Sequence, residues 1–405
     1  MRQNLIMMDM VKGQSTNGVT RCLENLIDGF SRKKEYNLLW IRFTYGSNEA
    51  MEMNNKKGYK IVTIPLPKDI HSFLGLELIR NVFWEEVFKK LSSCFESNPI
   101  IHIHTLNLIE FAILVKKHFP CKIVTHLHCI PWKGSYNTNI KLFNELYWHY
   151  YLQNNKLDAR HYIRQTHEWL AYTHSDCLIC VTQCGKEFVE RVCPQHTKNI
   201  QVVSNGIRDL ALPRTYSIKQ KELECLFVGS ASSSKGLHFV LSAIQALLIR
   251  IPVAITIVGN ISKETRESIL NRHPYLNIRF TGNLSLEHLI QLYAKSDIGI
   301  IGSMQEQCSY VAIEMMMAGL PIITTDVDGL SEMFTHRRNG IKVPLSFHPQ
   351  FGLYPEIPDM AESVIELARN QNLRTLIGKR ARRCYSQLYT QRKMISKIET
   401  IYKSL

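Results

Sequence analysis

A chain of 405 residues exceeds what one ordinary hydrophobic core organises, so two domains are the default. Hydrophobic residues at 45% against 21% charged exclude a disordered chain. The net charge of +14 is shared, 26 basic against 18 acidic residues in 1–208 and 23 against 17 beyond, which excludes a polybasic tail and leaves a diffuse field suited to anionic partners.

The opening "MRQNLIMMDMVKG" carries charge within its short apolar run and is expected to be no secretory signal. No apolar run approaches the roughly 18 residues that a spanning helix needs. Eleven cysteines, an odd set, are scattered through apolar runs rather than framing short loops, the usage of reduced thiols. The expected location is the cytosol, with peripheral contact to a membrane's inner face as its furthest extension.

From residue 18 onward, β-rich runs alternate with helical patterns. "GVTRCLENLIDGFS" and "NLIEFAILVKKHF" have the apolar spacing of helices, whereas "NLLWIRF", "YKIVTIPL", "IIHIHT", "CKIVTHLH" and "DCLICVT" read as strands. Such alternation predicts βαβ units on a parallel sheet. "IQVVSNGI" closes this series, and a second begins with "LECLFVGS", "VAITIVGN", "NIRFTGN", "DIGIIGS" and "PIITTD". The predicted division is 1–207, 208–385 and a terminal helix 386–405 that packs back on the first domain. The last segment, from "MAESVIELAR" onward, reads as helical throughout. Ligands of open parallel sheets sit beyond the strands' carboxyl ends, so a site is expected in a cleft between two such domains.

His102 and His104, like His126 and His128, stand two apart at the ends of strands, so each pair shares a face. With no third ligand at an obvious spacing, they read as cleft-lining or hydrogen-bonded core groups, and no metal is expected. Cys177 and Cys180 fall on opposite faces of their strand, which suits buried thiols better than zinc ligands. Residues 131–172 are dense in aromatics and read as a core-packed helical pair or a surface for sugars or lipid. No nucleic-acid reader motif accompanies the basic charge.

"SMQEQCSYVAIEMMMAGLPIITTDVDGLSEMF" places Glu306 and Glu314 eight residues apart around an apolar run. Glu306 falls on the loop after a buried strand, and Glu314 two turns into the next helix, which Gly319 and Pro321 end. The first N–H groups of that helix, around Ser309 and Tyr310, are expected to lack intrahelical partners and to suit a phosphate. A sugar hydroxyl would explain a carboxylate among methionines. The plainer alternative has Glu306 capping the helix and Glu314 paired with a lysine.

"EQCSYVAIEMMMAGLPIITTDVDGLSEMF" resembles the signature of family 4 glycosyltransferases, retaining enzymes of the GT-B fold with two Rossmann-like domains facing across a cleft. "LFVGSASSSKGLHFVLSAI" resembles that family's phosphate loop, and "NGVTRCLENL" and "KIVTHLHCIPW" its first helix and acceptor-side strand. The resemblance implies transfer of a hexose-type sugar from a nucleotide diphosphate to a glycan, lipid-linked or peptide acceptor, with no cofactor and no metal. It implies Glu306 beside the donor sugar, Lys235 on the diphosphate, Glu314 on the ribose and His128 facing the transferred sugar. Gly18, in a short loop, would admit the phosphates, and Gly259 and Asn283 would follow strands lining the base pocket. Ser230 stands where the family has an arginine that shares the diphosphate charge, Ser309 where it has glycine, and Asp328 where it has the first of two glycines. The competing readings are a non-catalytic subunit of the same fold, favoured by Ser230, and a nucleotide-sugar epimerase.

Overall fold

The computed structural model of the chain describes residues 2–12, 17–46, 51–67, 76–95, 98–129, 159–193, 199–212, 222–348 and 352–405. These form two compact α/β units. One carries the described residues up to Gly206 together with Gln391–Leu405, and the other carries Ile207–Thr390. Most of the aromatic stretch 131–172 lies outside the described residues.

The first unit runs β1 (Gln3–Lys12), α1 (Gly18–Phe30), β2 (Tyr36–Tyr45), β3 (Glu52–Lys56), β4 (Tyr59–Pro65), α2 (Glu77–Leu91), β5 (Ile100–Ile103), α3 (Ile109–His118), β6 (Lys122–Leu127), α4 (Ala159–His174), β7 (Cys177–Cys180), α5 (Gln183–Val192) and β8 (Ile200–Val202). Its sheet has the order β3-β4-β2-β1-β5-β6-β7-β8, parallel except for the β3–β4 pair. The chain steps outward from β1 to β2 and β4 on one side, then returns to β5 and steps outward on the other. The sheet therefore has a topological switch between β1 and β5.

Central β1 went unread in the sequence because Asp9 interrupts its apolar run. In the sheet Asp9 is fully buried and satisfied by β2: Trp40 Nε1 donates to it at 2.9 Å and Arg42 Nη2 at 3.0 Å. Burial pushes the Asp9 carboxyl up, and the Arg42 guanidinium opposes that shift. One face of the sheet packs Met8, Phe43 and Ile103 against Trp84 of α2 and Phe111 of α3. Phe43 meets Trp84 edge to face at 5.4 Å.

The second unit runs β9 (Leu223–Val228), α6 (Leu237–Gln245), β10 (Val253–Val258), α7 (Lys263–Arg272), β11 (Asn277–Gly282), α8 (Leu286–Lys295), β12 (Ile298–Ile301), α9 (Tyr310–Met317), β13 (Ile322–Thr325), α10 (Asp328–Met333), β14 (Ile341–Val343), β15 (Leu345–His348), β16 (Gly352–Pro355), α11 (Ile357–Arg369) and α12 (Gln371–Leu388). The sheet order β11-β10-β9-β12-β13-β14 is parallel throughout, with its switch between β9 and β12. Every residue of β10, β12 and β13 is buried, which is why these strands read as continuous apolar runs rather than alternating ones. Ile255, Ile257 and Ile300 pack with Val240 and Ile244 of α6 and Val364 of α11; truncating any one of them to alanine would cost about 2–5 kcal/mol.

The terminal stretch is three helices rather than one. Asn370 caps α12 by accepting from the Leu373 N–H, and a break at Tyr389–Thr390 precedes α13 (Gln391–Lys403). Helix α13 belongs to the first unit. Gln391 Nε2 donates to the Asn25 carbonyl at 2.8 Å, Lys33 pairs with Glu399 at 2.6 Å, and the hydroxyl of buried Tyr402 meets His102 Nδ1 at 2.6 Å. Among the described residues no helix is long and apolar enough to cross a membrane.

Candidate active site

The switch of the second sheet brings together the loops after β9 and β12. After β9 the backbone makes a 3-10 turn at Ser233–Lys235, and Gly236, with φ +64°, starts α6. A Cβ on Gly236 would lie 1.9 Å from the Gly302 carbonyl oxygen, so only glycine lets the two loops touch. The Met304 N–H then donates to the Ser234 carbonyl at 2.8 Å. This zipped pair of loops sets Lys235 Nζ 2.6 Å from Glu306 Oε2, with 37% of the lysine side chain and 17% of the glutamate side chain exposed. Glu306 is fixed from the start of α10, since the Gly329 N–H donates to its carbonyl at 2.9 Å.

Asp328, the first residue of α10, has φ +41°, the left-handed region that a glycine adopts without cost and that Asp tolerates better than most. The residue at this position thus departs from the family pattern while its backbone keeps the left-handed conformation.

Ser309 caps α9: its side chain accepts from the Ala312 N–H at 3.3 Å, so one of the first-turn donors expected to await a phosphate is already occupied, and Glu306 is not the cap. Ser309 and Tyr310 are both buried. Glu314 lies little more than one turn into α9 rather than two. It is completely buried, and the hydroxyl of Tyr293, on α8 and equally buried, donates to its Oε2 at 2.7 Å. Tyr293 carried no signal in the sequence beyond the apolar face of its helix. Ser230 is exposed and begins a run of hydroxyls, its Oγ 3.0 Å from that of Ser232, which in turn is 3.1 Å from that of Ser234. These offer hydrogen bonds where an arginine would have offered charge.

Gly259 follows β10 with φ +148°, and a Cβ there would lie 2.2 Å from the Gly229 carbonyl oxygen; its own N–H donates to the Gly282 carbonyl at 3.0 Å. The carboxyl edge is therefore bare of side chains at this point. Asn283 is exposed, beyond the end of edge strand β11.

Gly18 and His128 belong to the first unit. Gly18 is not in a loop: it is the first residue of α1, exposed, behind an Asn17 cap that accepts from the Thr20 N–H at 2.9 Å. Residues 13–16 lie outside the described residues. His128 stands just past β6, and its Nε2 is hydrogen-bonded with His104 Nδ1 at 2.9 Å. Its ring stacks on His126 at 4.3 Å, and burial lowers its pKa to about 3, so it is neutral.

The family model described as Glycosyltransferase Family 4 matches residues 16–209, and that described as Glycosyl transferases group 1 matches residues 211–383. An uncharacterized glycosyltransferase of Methanocaldococcus jannaschii is 27% identical over 253 residues, 58% of this chain and 62% of that protein's own length. A sucrose-phosphate synthase from Thermosynechococcus elongatus superposes with a TM-score of 0.74 at 15% identity, covering 100% of this chain and 99% of its own. Anabaena HepE in complex with UDP-glucose superposes with a TM-score of 0.71 at 14% identity, covering 100% of both chains. Two Rossmann-like units, each matched by its own glycosyltransferase model, show that the chain belongs to the family 4 glycosyltransferases of GT-B fold.

Proposed function

We propose that the chain transfers a hexose-type sugar from a nucleotide diphosphate to the hydroxyl of a glycan, lipid-linked or peptide acceptor, with retention of anomeric configuration. The observation that carries this reading is the Lys235–Glu306 pair at the switch of the second sheet. An ammonium has three donors, so Lys235 can hold Glu306 and a phosphate oxygen together. The bond from the anomeric carbon to the diphosphate breaks, the acceptor oxygen bonds to the same face, and the acceptor proton leaves with the diphosphate. Lys235 and the N-terminus of α9 stabilise the departing charge, so this step requires no metal ion. Glu306 orients the donor sugar. Glu314 serves the ribose once the donor draws its carboxylate out of its buried bond to Tyr293. That HepE is a complex with UDP-glucose supports a uridine nucleotide as the first donor to try. The net charge of +14 supports work at an anionic membrane face in the cytoplasm.

The test is thermal denaturation with UDP-, GDP- and ADP-sugars, followed by proton NMR of the product made with an acceptor. One donor is expected to raise Tm by mass action, and Glu314→Ala to remove that shift. No shift from any donor would favour a non-catalytic subunit. A new sugar epimer formed without acceptor would favour an epimerase.

A further inference from the structure

The first sheet has its own loaded switch point. Helix α1 follows β1 and supplies Cys22; the chain leaving β5 supplies His104; β6 and the residue just past it supply His126 and His128. One ligand atom from each of these four residues lies within 4.8 Å of the other three. We propose that Cys22, His104, His126 and His128 form a binding site for a divalent transition ion of the zinc class.

A tetrahedral ion with nitrogen ligands at roughly 2.0–2.1 Å and one sulfur at about 2.3 Å would hold its ligand atoms between roughly 3.3 and 3.6 Å apart. The widest pair in the cluster therefore closes by about 1 Å, and the His104–His128 pair, now at 2.9 Å, opens slightly as its hydrogen bond gives way to two bonds to the ion. The orphaned polar atoms point to a missing partner. Both ring nitrogens of His126 are buried without a hydrogen bond among the described residues, and one of them would bind the ion. The rings are already ordered: His126 lies parallel to His102 at 5.3 Å, 4° between planes, and His102 is held by the Tyr402 hydroxyl. The thiol of Cys22 loses its proton to solvent as the sulfur–metal bond forms, so uptake of one ion releases one proton.

The site goes beyond sugar transfer, and it takes as a ligand His128, which the family resemblance turns toward the transferred sugar. Its sequence signal was weak because each strand shows only two histidines, and the third element, with its cysteine, is far away along the chain.

The full-length chain is stripped with chelator, dialysed and titrated with Co2+, a coloured substitute for Zn2+. The expected result is one ion per chain, intense visible bands of a tetrahedral site, a near-ultraviolet thiolate-to-cobalt band, and release of one proton. Cys22→Ser is expected to lose the thiolate band and His126→Gln to bind at least tenfold more weakly, whereas Cys177→Ser, in β7, keeps the full spectrum. Absence of stoichiometric binding, or a thiolate band that survives Cys22→Ser, overturns the proposal. Should either variant misfold, thermal denaturation of the chelator-stripped wild type decides: Zn2+ is expected to raise Tm by mass action, and a Tm indifferent to Zn2+ overturns the site.

Discussion

The two sheets present their switch points in opposite ways. In the second unit the carboxyl edge is lined by backbone, hydroxyls and the partly exposed Lys235–Glu306 pair. In the first, the corresponding edge collects imidazoles, three of them almost fully buried, and a buried thiol. The same topology thus supports opposite electrostatics. A charged diphosphate calls for mobile charge close to water, where an ion pair costs little to rearrange. A buried cluster of neutral ligands has no charge to screen and holds polar atoms that lack partners, a condition suited to an ion rather than to an anion.

The comparison can be broken most forcefully at the second switch. Gly236→Val places a β-branched side chain at φ +64° and against the Gly302 carbonyl. It is expected to destabilise the second unit by roughly 3 kcal/mol or more and to abolish nucleotide binding. Urea denaturation followed by far-ultraviolet circular dichroism measures this, and a variant as stable as its parent would show that the two loops need not touch.

The first unit is expected to be the acid-sensitive one. Burial disfavours the Glu110 carboxylate, but hydrogen bonds from His167 and Arg80 outweigh that and bring its pKa from 4.5 to about 2. Because the folded value lies below the unfolded one, the stabilisation is complete above about pH 5 and is lost as pH falls toward 2. The loss is about 3 kcal/mol. Trp84, whose Nε1 lies 3.4 Å from Glu110, should report the transition by fluorescence. A Glu110→Gln variant should flatten the pH dependence in this window; an unchanged profile would remove this network from the account.

Lys235→Ala sharpens the contrast by separating charge from fold. Because the pair is partly exposed, stability should change by no more than about 0.5 kcal/mol, while affinity for the nucleotide-sugar falls by about 10- to 100-fold. Calorimetric titration checks the second number, and a variant that binds like wild type would take Lys235 off the diphosphate.

The smallest expected effect is that of Asp328→Gly. The backbone is already left-handed there, and the Gly329 N–H to Glu306 bond is main chain, so stability and donor affinity should each move by about 0.5 kcal/mol or less. A large loss in either would mean that the Asp328 carboxylate itself takes part.

Legibility in the sequence followed the range of the interaction. Continuous apolar runs such as "VAITIV" and "IGII" were readable because a strand buried on both faces needs every residue apolar. Glu306 was readable because it follows such a run by a few residues, and Lys235 because its loop resembles the family's phosphate loop. Asp9 hid the central strand β1 because a carboxylate is tolerable there only beside Trp40 and Arg42, which reach it from another strand.

By itself the sequence determined the twofold α/β plan, which follows from local periodicity, while its resemblance to a family marked the loops that bear the candidate site. Tertiary structure alone decided that Glu314 is bound to Tyr293 and that Cys22 meets three histidines. Those contacts depend on strand order, and strand order brings together side chains whose spacing along the chain carries no trace of their meeting.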